Sequence, residues 1–164
     1  MPRRVDLSAF SCSVARTLDV VGDKWTLLVL RDAFYGVRRF EDFARDLGIA
    51  RNILTDRLGR LVDAGVLERR QYEKHPPRFE YRLTAKGRDL LPVLLTMMYW
   101  GDTWAGPDDD APIDLIHDAC GRTTRAVTVC AGCGDELTPF NVRVEPLPPV
   151  IDEVVTRRRT ASNA

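Results

Sequence analysis

The chain has 164 residues, 45% of them apolar and 29% charged, and its 24 basic and 24 acidic side chains cancel. That is the composition of a globular protein long enough for one core and a small appendage. No apolar run reaches the roughly 20 residues of a membrane span, and the basic start MPRRVDLSAFSCSV lacks the apolar stretch of a secretory signal, so a cytoplasmic location is expected.

The zero net charge hides an asymmetry. Residues 1–106 carry 18 Lys/Arg against 14 Asp/Glu, a net of +4, and residues 107–164 carry 6 against 10, a net of −4. Within 38–88 the excess is 13 over 8, which is where a nucleic-acid footprint could lie.

The pattern in chain order predicts a first helix over 12–21 with Val14, Leu18 and Val21 on one side, stopped by Gly22. Asp23 caps a second helix over 24–34, with Trp25, Leu28, Val29 and Ala33 spaced for burial, ended by Gly36. A third, short helix over 39–47 turns Phe40, Phe43 and Leu47 inward, and Gly48 makes a turn. A fourth covers 50–64 with Leu54, Leu58, Leu61 and Val62 as its apolar stripe and Gly65 as its stop. The period then changes. Residues 66–72 and 79–83 read as two strands, and Pro76 and Pro77 make 73–78 a turn. Thr84 caps a long last helix to about Trp104, apolar on more than one face. Residues 107–112 (PDDDAP) read as a linker. Residues 113–144 read as a Cys-rich β hairpin with strands at 127–129 and 140–144. The Pro-rich and basic stretch 145–164 reads as a flexible tail.

The order helix, helix, short helix, glycine turn, helix, hairpin is that of a winged helix-turn-helix. The fold class expected is α+β, mainly α, with a long C-terminal helix and a small appended hairpin. In such a unit the helix after the turn enters the major groove by its N-terminal residues. With Leu54, Leu58 and Leu61 turned to the core, Arg51, Asn52, Thr55 and Asp56 face away from it. Arg can grip guanine and Asn adenine, each through two hydrogen bonds. Asp56 has three readings: it orients Arg51, orients Arg60, or accepts from a cytosine. Lys74, His75 and Arg78 at the hairpin tip, and Arg38 and Arg39 before the third helix, suit phosphate contact. The candidate DNA-binding set is therefore Arg38, Arg39, Arg51, Asn52, Thr55, Asp56, Lys74, His75 and Arg78.

These residues resemble the HxlR-type family of winged-helix regulators over about 12–104. The resemblance is carried by Cys12-Ser13-Val14, by Thr17-Leu18-Asp19-Val20-Val21-Gly22-Asp23-Lys24-Trp25, and by Arg39-Phe40-Glu41-Asp42-Phe43. It continues in Ile53-Leu54-Thr55-Asp56-Arg57-Leu58, Leu61-Val62-Asp63-Ala64-Gly65-Val66-Leu67, Tyr72, Pro76-Pro77-Arg78-Phe79-Glu80-Tyr81, Leu83-Thr84 and Gly87-Arg88-Asp89-Leu90. It implies a bacterial-type, non-enzymatic transcription regulator. It also implies a homodimer, joined through the first and last helices, on a palindromic operator in double-stranded DNA, responsive to a small molecule or to thiol-reactive stress. Cys12 occupies the position of the sensing thiol of some members; its other reading is a small packed hydrophobe.

The last segment sets His117-x2-Cys120-Gly and Cys130-x2-Cys133-Gly nine residues apart. His117, Cys120, Cys130 and Cys133 resemble the ligand set of a zinc ribbon with one Cys replaced by His, and such zinc would be structural. A redox dithiol and a metal-free hairpin are the other readings. An adaptor without DNA, or a redox protein built on the CxxC, is the alternative for the whole chain. No nucleophile motif, phosphate loop or acidic metal cage points to an enzyme.

Overall fold

The fold is taken from a computed structural model that describes Leu7, Phe10, residues 12–105 and residues 113–145. The expected linker at 107–112 and the tail beyond 145 lie outside the described residues. The chain divides into two compact units, residues 1–126 and 127–164, with the division inside the stretch read from sequence as one hairpin.

The first unit runs α1 (Ser13–Val21), α2 (Lys24–Phe34), α3 (Phe40–Leu47), α4 (Arg51–Asp63), β1 (Leu67–Lys74), β2 (Pro77–Leu83), α5 (Ala85–Arg88), α6 (Leu91–Trp104), β3 (Ile116–His117) and β4 (Arg122–Thr123). It is a winged helix-turn-helix. Asp23 caps α2, its Oδ1 accepting from the N–H of Trp25 at 3.0 Å and of Thr26 at 3.4 Å. Gly48 ends α3 in the left-handed region at φ 57°, which gives the sharp turn into α4. Val29, Leu30, Phe43, Leu54, Leu58, Leu61, Val66 and Leu67 form the fully buried core. The stripe of α4 is thus inward as its spacing requires. On α2 the buried residues are Thr26, Val29, Leu30 and Asp32; Trp25, Leu28 and Ala33 are half-buried flanks. On α1, Ala15 and Val21 are buried, while Val14 and Leu18 face outward.

Three expectations are corrected. The wing is longer than the sequence suggests: β1 and β2 pair antiparallel from Leu67–Leu83 out to Lys74–Pro77, with an irregularity between Gln71 and Glu73. Pro77 is tolerated because it opens its strand, where a missing N–H is least needed. Only His75 and Pro76, joined by a cis peptide bond, form the tip.

The long last helix is broken into α5 and α6. Pro92 stands in the first turn of α6, where its ring and missing N–H fit; deeper within one continuous helix it would clash with the carbonyl four residues back. Thr84 caps only the four-residue α5, accepting from Gly87 N–H at 3.1 Å.

Residues 127–129 and 140–144 are not strands. The second unit contains a narrow hairpin in which Leu137 N–H bonds to Thr128 O and Cys130 N–H to Asp135 O, both at 2.8 Å. Phe140, Val142 and Val144 are exposed, and residues 140–144 join no sheet. Their β propensity has no neighbouring backbone to pair with, and a ladder needs one.

Candidate nucleic-acid interface

The exposed side of α4 follows from its buried one. With Leu54, Leu58 and Leu61 in the core, Arg51, Asn52, Thr55 and Asp56 are all exposed. Thr55 Oγ donates to Arg51 O at 2.8 Å, and Asn52 has no side-chain partner among the described residues. Arg51 forms a two-pronged pair with Glu41 of α3, at 2.7 and 2.6 Å, and its guanidinium lies 4.8 Å from the centre of the Phe40 ring. The Arg51 hydrogen bonds hold the Glu41 carboxyl below its usual range, and Glu41 in turn raises Arg51. Sequence reasoning missed Glu41, which lies ten residues away on another helix.

Of the three readings of Asp56, the one shown in the structure is Arg60, whose Nε lies 2.9 Å from Asp56 Oδ2, together with Arg57. Arg57 does not face outward freely. It is four-fifths buried and grips both oxygens of Asp23, at 2.7 and 3.1 Å, tying α4 to the start of α2. Burial pushes the Asp23 carboxyl up, but the Arg57 guanidinium and the Trp25 and Thr26 N–H groups outweigh it and leave it below the usual range. The sequence signal for this pair was only the N-cap role of Asp23.

Arg38, Arg39, Lys74, His75 and Arg78 are exposed. Arg39 sits where the wing meets the helices: its residue bridges Glu80 of β2, and its guanidinium lies 4.8 Å from the centre of the Tyr72 ring. Arg38 O accepts from Tyr81 N–H at 2.8 Å, which fixes the start of α3 against the wing. Arg78 Nε lies 3.1 Å from Glu73 on the facing strand. Lys74 and His75 have no side-chain partner among the described residues. Arg39, Phe40, Glu41, Tyr72, Arg78 and Phe79 line one open groove between α3 and the wing. The structure therefore gathers the start of α3, the start of α4 and the wing tip on one unit.

The cysteines lie elsewhere. Cys12 is exposed at the N-cap of α1, and the nearby backbone N–H groups of Ala15 and Val14 hold its thiol below the usual value. His117 and Cys120 lie in the first unit, with Nδ1 and Sγ 3.4 Å apart; Cys130 and Cys133 lie in the second. Among the described residues no three His, Cys, Asp or Glu side chains are already grouped as a metal cage. No helix among them is long and apolar enough to cross a membrane.

The comparisons with known proteins agree with this geometry. The HxlR-like helix-turn-helix family pattern matches residues 20–109. The chain is 47% identical over 136 residues to the uncharacterised HTH-type transcriptional regulator Rv3095 of Mycobacterium tuberculosis, covering 83% of this chain and 86% of that one. Such a match is longer than the first 109 residues, so it runs into the Cys-rich segment. The crystal structure of PA1607, described as a candidate transcription factor, superposes with a TM-score of 0.77 at 40% identity, covering 85% of this chain and 97% of that one. The redox regulator HypR in its reduced form matches with a TM-score of 0.53 at 38% identity, covering 56% of this chain and 92% of HypR. By fold, family pattern and overall identity, the chain belongs to the HxlR-like helix-turn-helix family of transcriptional regulators.

Proposed function

We propose that this regulator binds a palindromic DNA operator as a homodimer in the cytoplasm, reading bases with Arg51, Asn52 and Thr55 at the start of α4. Lys74, His75 and Arg78 of the wing, and Arg38 and Arg39 before α3, hold phosphates. The observation that carries this reading is the outward face of α4: four exposed polar residues opposite a fully buried Leu54, Leu58 and Leu61 stripe, beside a basic wing. The dimer reading is supported by apolar side chains left exposed on α1 and α6. Val14, Leu18, Val93, Met97, Trp100 and Trp104 are all exposed, and such a surface on a soluble chain marks a partner surface. A symmetric pair also matches the two-fold symmetry of a palindrome. The adaptor alternative leaves the solvent-facing Arg51 and Asn52 without a role.

Selecting genomic fragments with the purified chain identifies the operator. Selective binding to a two-fold-symmetric site supports the reading. Equal binding to all duplexes, or none, refutes it.

A thiol-reactive effector is favoured by one observation, the exposed Cys12 at the start of α1 with its thiol held below the usual value. The likeness to the redox regulator HypR supports the same reading. Release from the operator on diamide treatment, abolished by Cys12→Ser, is the expected result. An unchanged response in the variant removes Cys12 as the sensor.

A further inference from the structure

The outward face of α4 carries two residues to which the operator reading gives no role, Asp56 and Gly59. With Asn52 and Thr55 they stand at i, i+3, i+4 and i+7, so the four form one exposed stripe opposite Leu54, Leu58 and Leu61. Asp56 is held in place on that stripe. Its Oδ2 accepts from Arg57 Nη1 and lies 2.9 Å from Arg60 Nε. Arg57 is itself fixed, four-fifths buried and gripping both oxygens of Asp23 at 2.7 and 3.1 Å. The carboxylate is thus tied through Arg57 to the start of α2, and two guanidinium groups offset its charge, which phosphate would otherwise repel. Both contacts fall on one oxygen. Oδ1 accepts no hydrogen bond among the described residues, and the side chain is 46% exposed.

Gly59 is exposed within α4, and a Cβ built on it would meet nothing within 4 Å. The packing of the chain itself does not require glycine there, and no turn does. Glycine in a helix interior weakens the helix. What a missing side chain does provide at an exposed position is room for a body outside the chain to approach the backbone closely.

Resting on the operator reading above, we propose that the stripe Asn52, Thr55, Asp56 and Gly59 seats along the major groove, with Asp56 Oδ1 accepting from the N4 amino group of one cytosine in each half-site. An ionised carboxylate can only accept hydrogen bonds. Guanine and thymine present acceptors at their major-groove edges and so repel it. Adenine has an amino group, but its N7 acceptor stands beside that group, which leaves cytosine as the match. Gly59, one turn beyond Thr55, leaves room for the wall of the groove. The role of Asp56 is then to set specificity, not to hold phosphate.

The experiment titrates the full chain at fixed salt against its selected operator and against every single base-pair replacement within the half-sites. For the parent, replacing one C·G pair in each half-site should lower affinity about 10-fold. Asp56→Ala should bind all four replacements at that position alike, while the preferences at other positions stay. Asp56→Asn, which keeps the shape but adds a donor, should move the preference from cytosine to adenine. Gly59→Ala should raise the denaturation midpoint, because alanine suits a helix better, and yet lower operator affinity about 10-fold by its added Cβ. A fall in affinity with a rise in stability cannot come from damage to the fold. A cytosine preference unchanged in Asp56→Ala overturns the proposal. So does an equal loss on every duplex, which would reduce Asp56 to a support for Arg60, or an unchanged operator affinity in Gly59→Ala. A chain that selects no duplex overturns the operator reading and this inference together; any of the other failures, with an operator in hand, overturns this inference alone.

Discussion

Arg51 is held before any DNA arrives. Glu41 grips its guanidinium through two hydrogen bonds and Phe40 lies beneath it, so the side chain is placed at the N-terminus of α4 rather than left to sample its rotamers. On the proposed interface, Arg51→Ala should weaken operator binding by about 1–3 kcal/mol, read as a fall in affinity by titration, and leave thermal stability nearly unchanged. Glu41→Gln should shift the balance differently. It removes a negative charge beside phosphate, so binding to non-operator DNA should rise while discrimination falls, read as the ratio of the two affinities. Asp23 and Arg57 act on stability instead. The folded-state pKa of Asp23 is depressed, so its pair with Arg57 stabilises the fold above the unfolded carboxylate range. That contribution is lost as pH falls through the folded value. Asp23→Asn keeps a capping side chain but loses the ion pair. Its urea midpoint should lie below that of the parent at pH 7, and the gap should narrow as pH falls through the depressed folded-state value of Asp23 and close only beneath it, where that carboxyl is protonated in the folded chain as well. The outward set Arg51, Asn52, Thr55 and Asp56 was legible because a helix that buries Leu54, Leu58 and Leu61 must expose them. Glu41 was not, because its distance from Arg51 depends on the crossing of α3 and α4, which no local pattern encodes.

At the scale of elements, the wing and the helices are joined by close backbone approach. A Cβ on Gly87 would lie 2.2 Å from Val66 O and 3.0 Å from Leu83 Cδ2, so only glycine lets α5 rest on the base of β1 and β2. Gly87→Ala should therefore destabilise the domain by about 1–3 kcal/mol or more, read as a lower denaturation midpoint. The wing tip should act on salt dependence rather than sequence choice. Lys74→Ala should lower affinity for all duplexes alike and reduce the slope of log affinity against log salt by about 1. The number and order of helices and the hairpin were readable from Gly36, Gly48, Gly65 and the change from helical to strand period. The break between α5 and α6 was not read, although Pro92 signalled it; a run as apolar as 90–100 masks a boundary when periodicity alone is followed. The second unit was misread for the opposite reason. Val127-Thr128-Val129 and residues 140–144 have strand composition, but β structure depends on a partner ladder that composition does not supply.

For the whole molecule, the central claim is a symmetric pair reading a symmetric operator. The faces of α1 and α6 that carry Leu18, Met97 and Trp100 have no cover within the described chain. Trp100→Asp, at a position 62% exposed, should leave the core intact while shifting the protein toward monomer in light scattering. Losing one of two linked half-site contacts should then cost on the order of 10²-fold in operator affinity. The measurement that tests the claim most directly is an anisotropy titration of the full chain at one physiological salt concentration, comparing its selected operator with a scrambled duplex of equal length. The result predicted is saturation at two chains per operator, with affinity at least about 10³-fold above the scrambled duplex, and loss of that preference in Arg51→Ala with Asn52→Ala. Equal affinity for the two duplexes, or an operator preference unchanged in that double variant, would contradict it.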